Sequence, residues 1–346
     1  MGEQNMRPIR VLVVDDSLMF RKLLVQGLNS DPNIEVVADV EDAYAARDAI
    51  LKFKPDVMTL DVELPRMNGI DFLRRLMPQY PLPVVMISAL NNKVFDALEA
   101  GAVDFVNKPS NLTREQLNNF LTQELAAKVK IASTAKVGKL KRVDSTAISS
   151  HITVAGGRDR IVAIGASTGG TEAIFEVVKR FKRDIPGVVI VQHMPPGFTQ
   201  MYSDRLNNQC EVAVKEAQTG DRVMQGQVLI APGDRQMRLV KVGDGYQVEC
   251  RGTEKVSGHC PSVDVLFSSV AKAAGNKAVG VILTGMGADG AKGLLEMRNA
   301  GALTVGQDEA TCVVYGMPKV AFDIGAVQQQ APITAIAGKV YSLLSK

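Results

Sequence analysis

Two successive series of short apolar runs, each closing on a residue with a functional group, dictate what this 346-residue chain folds into. In the first series Ile9–Val14 ends in Asp15-Asp16, Val57–Leu60 ends at Asp61, and Val84–Ile87 ends at Ser88. Val103–Val106 leads through Asn107 into Lys108-Pro109, and Ile34–Val40 completes the set. Amphipathic stretches lie between these runs. In Leu18–Leu28, for example, Leu18, Phe20, Leu24, Val25 and Leu28 recur at helical spacing, with Ser17 placed to cap the first turn. Strands that alternate with helices call for right-handed crossovers and a parallel, doubly wound α/β sheet. Open sheets of that kind place their sites at the C-terminal edge, where these carboxylates, the hydroxyl and the amine fall.

The pattern lapses after Ile131. Lys128 to Arg160 is rich in Lys, Ser, Thr, Ala and Gly, and reads as a flexible, mildly basic linker. A second α/β series begins at Ile161. Its strand candidates are Ile161–Gly165, Val188–Gln192, Val228–Ala231, Val279–Leu283 and Leu303–Val305. A hairpin is expected over Gln236–Val242 and Tyr246–Cys250, turning at Gly243-Asp244-Gly245, as an antiparallel appendage to a mostly parallel sheet. The expected boundaries are 7–125 for the first domain, 126–158 for the linker and 159–346 for the second domain. Ala337 to Lys346 reads as a closing helix.

Asp15, Asp16 and Asp61 supply hard oxygen donors suited to Mg²⁺, with one Asp61 oxygen left as a nucleophile. Ser88 and Lys108 stand where they would contact phosphoryl oxygens. Any one aspartate at a strand end is explained by capping a turn; three aspartates, a serine and a lysine gathered at four strand ends are not. Residues 9 to about 125 resemble the receiver domain of two-component response regulators. The matching features are Asp15-Asp16-Ser17, Asp61 with Pro65 and Asn68-Gly69, Ser88-Ala89, and Lys108-Pro109. The resemblance implies phosphorylation of Asp61 by a histidine kinase, with Mg²⁺ on Asp15, Asp16 and Asp61. It also makes Phe105 the aromatic switch residue, here without a phenolic hydroxyl.

In the second series Ile161–Gly165 runs into Ala166-Ser167-Thr168-Gly169-Gly170, a small-residue turn into a helix. Val188–Gln192 ends in His193, and Val279–Leu283 leads to Thr284-Gly285-Met286-Gly287-Ala288-Asp289-Gly290. All three sites lie at strand C-termini and can converge as nucleophile, base and orienting carboxylate. Singly each has a plainer explanation: an N-cap for Ser167, a loop residue for His193, a helix cap for Asp289. No G-x-S-x-G, G-x-G-x-x-G or G-K-[ST] pattern is present around Ser167, which disfavours the usual hydrolase elbow and nucleotide sites. His259, beside Cys260, is the competing base; a rim or substrate-contact role suits it better, because catalytic Cys and His seldom adjoin in sequence.

Ile161 to Val327 resembles the catalytic domain of the chemotaxis protein-glutamate methylesterases, the CheB family. The resemblance rests on Ile164–Gly170, Gln192–Pro195, Ala231–Gly233, Pro261–Asp264 and Leu283–Gly290. It implies a Ser167, His193, Asp289 triad, an oxyanion donor in the Met286 amide, and Thr168 beside the nucleophile. It further implies hydrolysis of glutamate γ-methyl esters on methyl-accepting chemoreceptors, deamidation of receptor glutamines, and no cofactor for the esterase step. A receiver in front of such a domain suggests that phosphorylation relieves an obstruction of the second site.

Composition limits the other classes. A net charge of +3 does not announce nucleic acid as a partner, although the basic linker leaves a receiver with a binding-only second domain as the opposing reading. A dedicated glutamine deamidase is the enzymatic alternative. No apolar run approaches the roughly 18 residues of a spanning helix, and Met1 to Pro8 has no secretory character. Four cysteines without paired spacing fit a reduced, cytoplasmic protein with inert thiols.

Overall fold

In the computed structural model, residues 7–89, 93–109, 113–138 and 159–345 are described. The expected linker from 139 to 158 and the first six residues lie outside them. The chain divides into two compact units, Met1–Lys141 and Arg142–Lys346.

The first unit is a five-stranded parallel sheet. Its strands are β1 (Ile9–Val14), β2 (Ile34–Val40), β3 (Val57–Asp61), β4 (Val84–Ser88) and β5 (Asp104–Asn107), in the order β2-β1-β3-β4-β5. Helices α1 (Leu18–Leu28), α2 (Ala43–Phe53), α3 (Gly69–Leu76) and α4 (Val94–Glu99) make the crossovers. β3 and β4 are buried along their whole length, because a parallel sheet covered on both faces leaves no side for water. That is why these strands read as continuous apolar runs. Ser17 caps α1 by accepting the Phe20 N–H, as its position in sequence suggested.

The linker expectation fails over its first eight residues. α5 (Arg114–Asn119) passes through one π-helical turn, Phe120–Leu125, into α6 (Ala126–Ser133). Leu125, Ala126, Val129 and Ala132 are fully buried on the sheet. The apolar stripe of α6 is carried by alanines and one valine among lysines. Composition therefore resembles a linker while the spacing is that of a packed helix.

The second unit is a seven-stranded parallel sheet. Its strands are β6 (Ile161–Ala166), β7 (Gly187–Gln192), β8 (Ala213–Glu216), β9 (Gln227–Ile230), β12 (Ala278–Ile282), β13 (Leu303–Gln307) and β14 (Gln329–Ala331). Their order is β14-β13-β12-β6-β7-β9-β8. The hairpin forms, but β10 (Met237–Val242) and β11 (Gly245–Cys250) make a two-stranded sheet of their own, with β11 also bridged antiparallel to Arg222. They lie against helix α9 (Val263–Ala274), where the Leu239 N–H donates to Ser269 Oγ at 2.8 Å. Strands β8 and β14 went unread in sequence: both are edge strands of four and three residues with polar ends, too short to show a period. Helices α7 (Gly170–Val178), α8 (Phe198–Gln209), α10 (Ala291–Asn299), α11 (Met317–Asp323) and α12 (Ile333–Leu344) complete the unit. α12 starts four residues before the closing helix expected from Ala337.

Strand order fixes where chemistry can occur. In the first sheet the chain moves outward from β1 on one side and from β3 on the other. In the second it leaves β6 toward β7 and later returns at β12 to fill the opposite side. Each reversal opens a crevice at the strand C-termini. The first crevice receives Asp15, Asp16 and Asp61; the second receives Ser167 and Asp289.

Candidate functional site

In the first crevice Asp15 and Asp61 are both buried, and carboxylate oxygens of Asp15, Asp16 and Asp61 lie within 4.8 Å of one another. Lys108 spans the cluster, donating to Asp15 Oδ2 at 2.7 Å and to Asp61 Oδ2 at 2.6 Å. Burial would depress Lys108, but the two carboxylates outweigh it and carry it above its ordinary value. Burial pushes Asp15 up, and Lys108 offsets only part of that. The cluster thus holds more negative charge than one ammonium neutralises, in a set of oxygen donors that fits a small divalent cation. Ser88 is buried at the end of β4, and its carbonyl accepts the Lys108 N–H at 2.8 Å. Phe105 is buried on β5 with the Lys128 ammonium 5.5 Å from its ring centre. Gly69 is required beside Asp61: a Cβ there would stand 2.0 Å from the Asp61 carbonyl oxygen.

In the second crevice His193 and Asp289 meet. The Nε2 of His193 lies 2.8 Å from Asp289 Oδ2. Its Nδ1 is buried with no hydrogen-bond partner among the described residues. Asp289 caps α9 from outside: its Oδ2 accepts the Val263 N–H at 2.7 Å, and its Oδ1 accepts the Asp264 N–H at 3.1 Å and the Ser262 hydroxyl at 2.7 Å. Burial alone would raise Asp289, but these donors and His193 outweigh it and hold the carboxyl below the usual range.

Ser167 closes the turn after β6, half-buried. Its N–H donates to the Thr284 carbonyl at 3.0 Å, so the Ser167 amide is spent on tying the two loops together. The Thr284 hydroxyl donates to Thr168 O at 3.0 Å and accepts the Val314 N–H at 2.9 Å. Close approach here needs Gly285, since a Cβ would lie 2.8 Å from the Ser167 Cβ. Met286 follows at the rim with an exposed side chain, and its N–H has no backbone acceptor among the described residues. Thr168, the next residue, is buried.

Three residues to which the sequence assigns no role contribute here, two of them (Gln192 and Ser262) within the stretches that carry the family resemblance. Gln192 donates from Nε2 to the Ser167 carbonyl at 2.9 Å and the His193 carbonyl at 3.3 Å, joining the Ser167 turn to the histidine loop. Its signal was a lone polar residue closing an apolar strand. Ser262 bears on Asp289; its signal was a serine immediately before an apolar helical stretch, the N-cap pattern it also fulfils toward Val265. Buried Gln236 holds the loop that carries His259, and it left no signal in sequence. The Cys260 thiol is pushed up, mainly by burial, while Cys210 rises to about 11 and Cys250 to about 12. Protonated thiols of that kind do not act as nucleophiles near neutral pH.

Residues 162–340 match the family described as CheB methylesterase, and residues 11–136 match the response regulator receiver domain. A protein-glutamate methylesterase/protein-glutamine glutaminase 2 of Syntrophomonas wolfei is 60% identical over 99% of both chains. A protein-glutamate methylesterase/protein-glutamine glutaminase of Syntrophotalea carbinolica is 53% identical over 98% of this chain and 99% of its own. The crystal structure of the Thermotoga maritima CheB methylesterase catalytic domain superposes with a TM-score of 0.52 at 36% identity, covering 53% of this chain and 98% of that one. Fold and comparisons define a receiver domain followed by a carboxylic ester hydrolase. The chain belongs to the CheB methylesterase family.

Proposed function

We propose that the protein removes methyl groups from γ-glutamyl methyl esters of methyl-accepting chemoreceptors, releasing methanol, and deamidates receptor glutamines, and that phosphorylation of Asp61 raises these activities. The names carried by full-length relatives support the substrates, and the chain's match to a receiver domain supports the regulation. The observation that carries the chemistry is the His193 ring, bonded through Nε2 to a saturated, ionised Asp289 while Nδ1 remains free for a proton.

In this mechanism Ser167 Oγ attacks the side-chain carbonyl and its proton passes to His193 Nδ1. Asp289 stabilises the imidazolium, and the Met286 amide, beside Thr168, receives the oxyanion. Collapse expels methanol, or ammonia from a glutamine, with the proton returned from His193. Water then attacks the acyl-enzyme with His193 again as base, giving glutamate and free Ser167. Ester and amide share the acyl intermediate, so one site serves both.

In the receiver, Asp15, Asp16 and Asp61 would hold Mg²⁺, which neutralises charge on an incoming phosphoryl group. Asp61 accepts the phosphoryl group from a histidine kinase, Lys108 exchanges a carboxylate partner for a phosphoryl oxygen, and Ser88 and Phe105 respond as the switch. A complex of acidic cluster, ammonium and buried hydroxyl has no use in an esterase that runs without regulation.

Methanol release from a methylated chemoreceptor cytoplasmic fragment, with and without Mg²⁺ and a small phosphodonor, tests both halves. The expected result is release that rises with phosphodonor, vanishes in Ser167→Ala, and keeps its basal rate but loses activation in Asp61→Ala. Release that persists in Ser167→Ala would sink the proposed nucleophile. Activation that persists in Asp61→Ala would sink the proposed phosphoacceptor.

A further inference from the structure

The loop 256–262 presents a second imidazole to His193. The rings of His193 and His259 are stacked, with centroids 3.7 Å apart and planes 11° apart. The loop is built to hold that position. Val256 and His259 exchange backbone hydrogen bonds of 3.0 and 2.9 Å. Buried Gln236 donates from Nε2 to the His259 carbonyl at 3.1 Å and the Glu254 carbonyl at 2.9 Å, while its Oε1 accepts the Ser262 N–H at 2.9 Å. The Ser257 hydroxyl donates to Asp264 Oδ2 at 3.1 Å. The chain reaches this shape with Ser257 and Gly258 at φ of +53° and +85°. The same loop supplies Ser262, which donates to Asp289. One loop therefore grips the histidine by its face and the aspartate by an oxygen.

We propose that His259 is a positioning residue for the reaction: its ring face fixes the plane of His193, so that Nε2 stays on Asp289 while Nδ1 is presented to Ser167. This rests on His193 being the base. A single hydrogen bond at Nε2 sets one direction of the imidazole but leaves the ring free to roll about that bond. A flat partner against its face removes the roll and keeps water off that face. Burial, with His193 beside it, holds His259 down at about 4, against the pull of Asp289 and with some help from Lys255. It is therefore neutral at working pH, a poor general base, and no repulsive neighbour for the imidazolium that forms on His193. This places the second histidine under the catalytic ring rather than in competition with it.

The test uses the full chain with Mg²⁺ and phosphodonor, and methanol release as the rate. His259→Ala is expected to lower kcat by about ten- to a hundredfold with KM changed less than about twofold, the pattern of lost alignment. His259→Phe keeps a flat ring without a nitrogen and should restore kcat to within about threefold of the unaltered protein. A Phe variant as slow as the Ala variant would overturn the proposal, because the nitrogens and not the face would then matter. So would a rise in KM at constant kcat, which marks a substrate contact. His193→Gln is run alongside: full activity in that variant overturns the base assignment itself, whereas loss there with an active His259→Ala overturns only the positioning role. A readout independent of turnover is the imidazole spectrum, simple in a chain with three histidines. The His193 Cε1–H resonance should lie upfield from the ring current of His259 in the unaltered protein. It should move downfield in His259→Ala and remain upfield in His259→Phe; a resonance at the random-coil position in the unaltered protein refutes the stack.

Discussion

Asp61 and Asp289 are each 2% exposed, and each lies at the C-terminal edge of a parallel sheet beside a reversal of strand order. Their partners differ in kind. Asp61 has a Glu63 N–H and one lysine, shared with Asp15, and stands among other carboxylates. Asp289 accepts from two backbone amides, one hydroxyl and one imidazole. The first carboxylate shares one side-chain ammonium with Asp15 among other acidic groups, a set of donors that fits a cation. The second is saturated by donors that the backbone fixes, so it can orient a histidine and cannot serve as a nucleophile. Equal burial thus leaves the two carboxylates in different environments, decided by whether the donors are a shared side chain or a backbone-fixed set.

The largest effect that sharpens this contrast falls on neither aspartate. Ser167→Ala should lower methanol release by at least about 10³-fold with and without phosphodonor, while phosphoryl incorporation at Asp61 is unchanged. Loss of phosphorylation in that variant would mean the two sites are not separable. Next comes Asp289→Ala. It strands the Val263 and Asp264 amides and the Ser262 hydroxyl, so the esterase unit should lose about 2–5 kcal/mol by denaturant unfolding, besides its activity. Asp61→Ala leaves Lys108 with Asp15 and relieves repulsion on Asp15, so the receiver should change by less than about 1 kcal/mol. Equal costs at the two positions would break the comparison.

Removing divalent cations is a smaller perturbation. Chelation with EDTA should abolish phosphodonor activation while leaving the unstimulated, Ser167-dependent rate as it was, since only the receiver cluster fits a metal among the described residues. A fall in the unstimulated rate would place a cation in the esterase step. The smallest effect is in pH dependence, and it has opposite signs at the two sites. Asp289 is held below its model-peptide value of 3.8, so it contributes stability above that pH that is lost as pH falls through the folded value. Asp15 is raised above 3.8, so the folded receiver binds the proton more tightly, and stability falls as pH rises from 3.8 through the folded value. Thermal unfolding between about pH 3 and 5, with Asp289→Asn and Asp15→Asn beside the unaltered protein, should show the two variants deviating in opposite directions. Deviations of the same sign would contradict the assigned environments.

The apolar runs made both sheets and the convergence of strand ends legible from sequence, because buried parallel strands announce themselves without any long-range information. Asp15, Asp61, Ser88 and Lys108 could be read as a set for the same reason: each closes a run. The helix α6 could not, since its buried face is made of alanines that composition counts as linker. Nor could the hairpin's separation from the second sheet, which depends on α9 offering it a surface.

Sequence by itself determined the two doubly wound units, the edge on which each site lies, and the residue types available there. Only the tertiary structure decided that Asp289 is saturated by the N-terminus of a helix 25 residues upstream. Gln192 as the tie between two loops, and the His259 ring on the face of His193, were likewise decided there. Periodicity is a local property of the backbone, written every two or four residues. Hydrogen bonds and ring contacts between loops depend on where strand order brings distant segments together, and no local pattern encodes that distance.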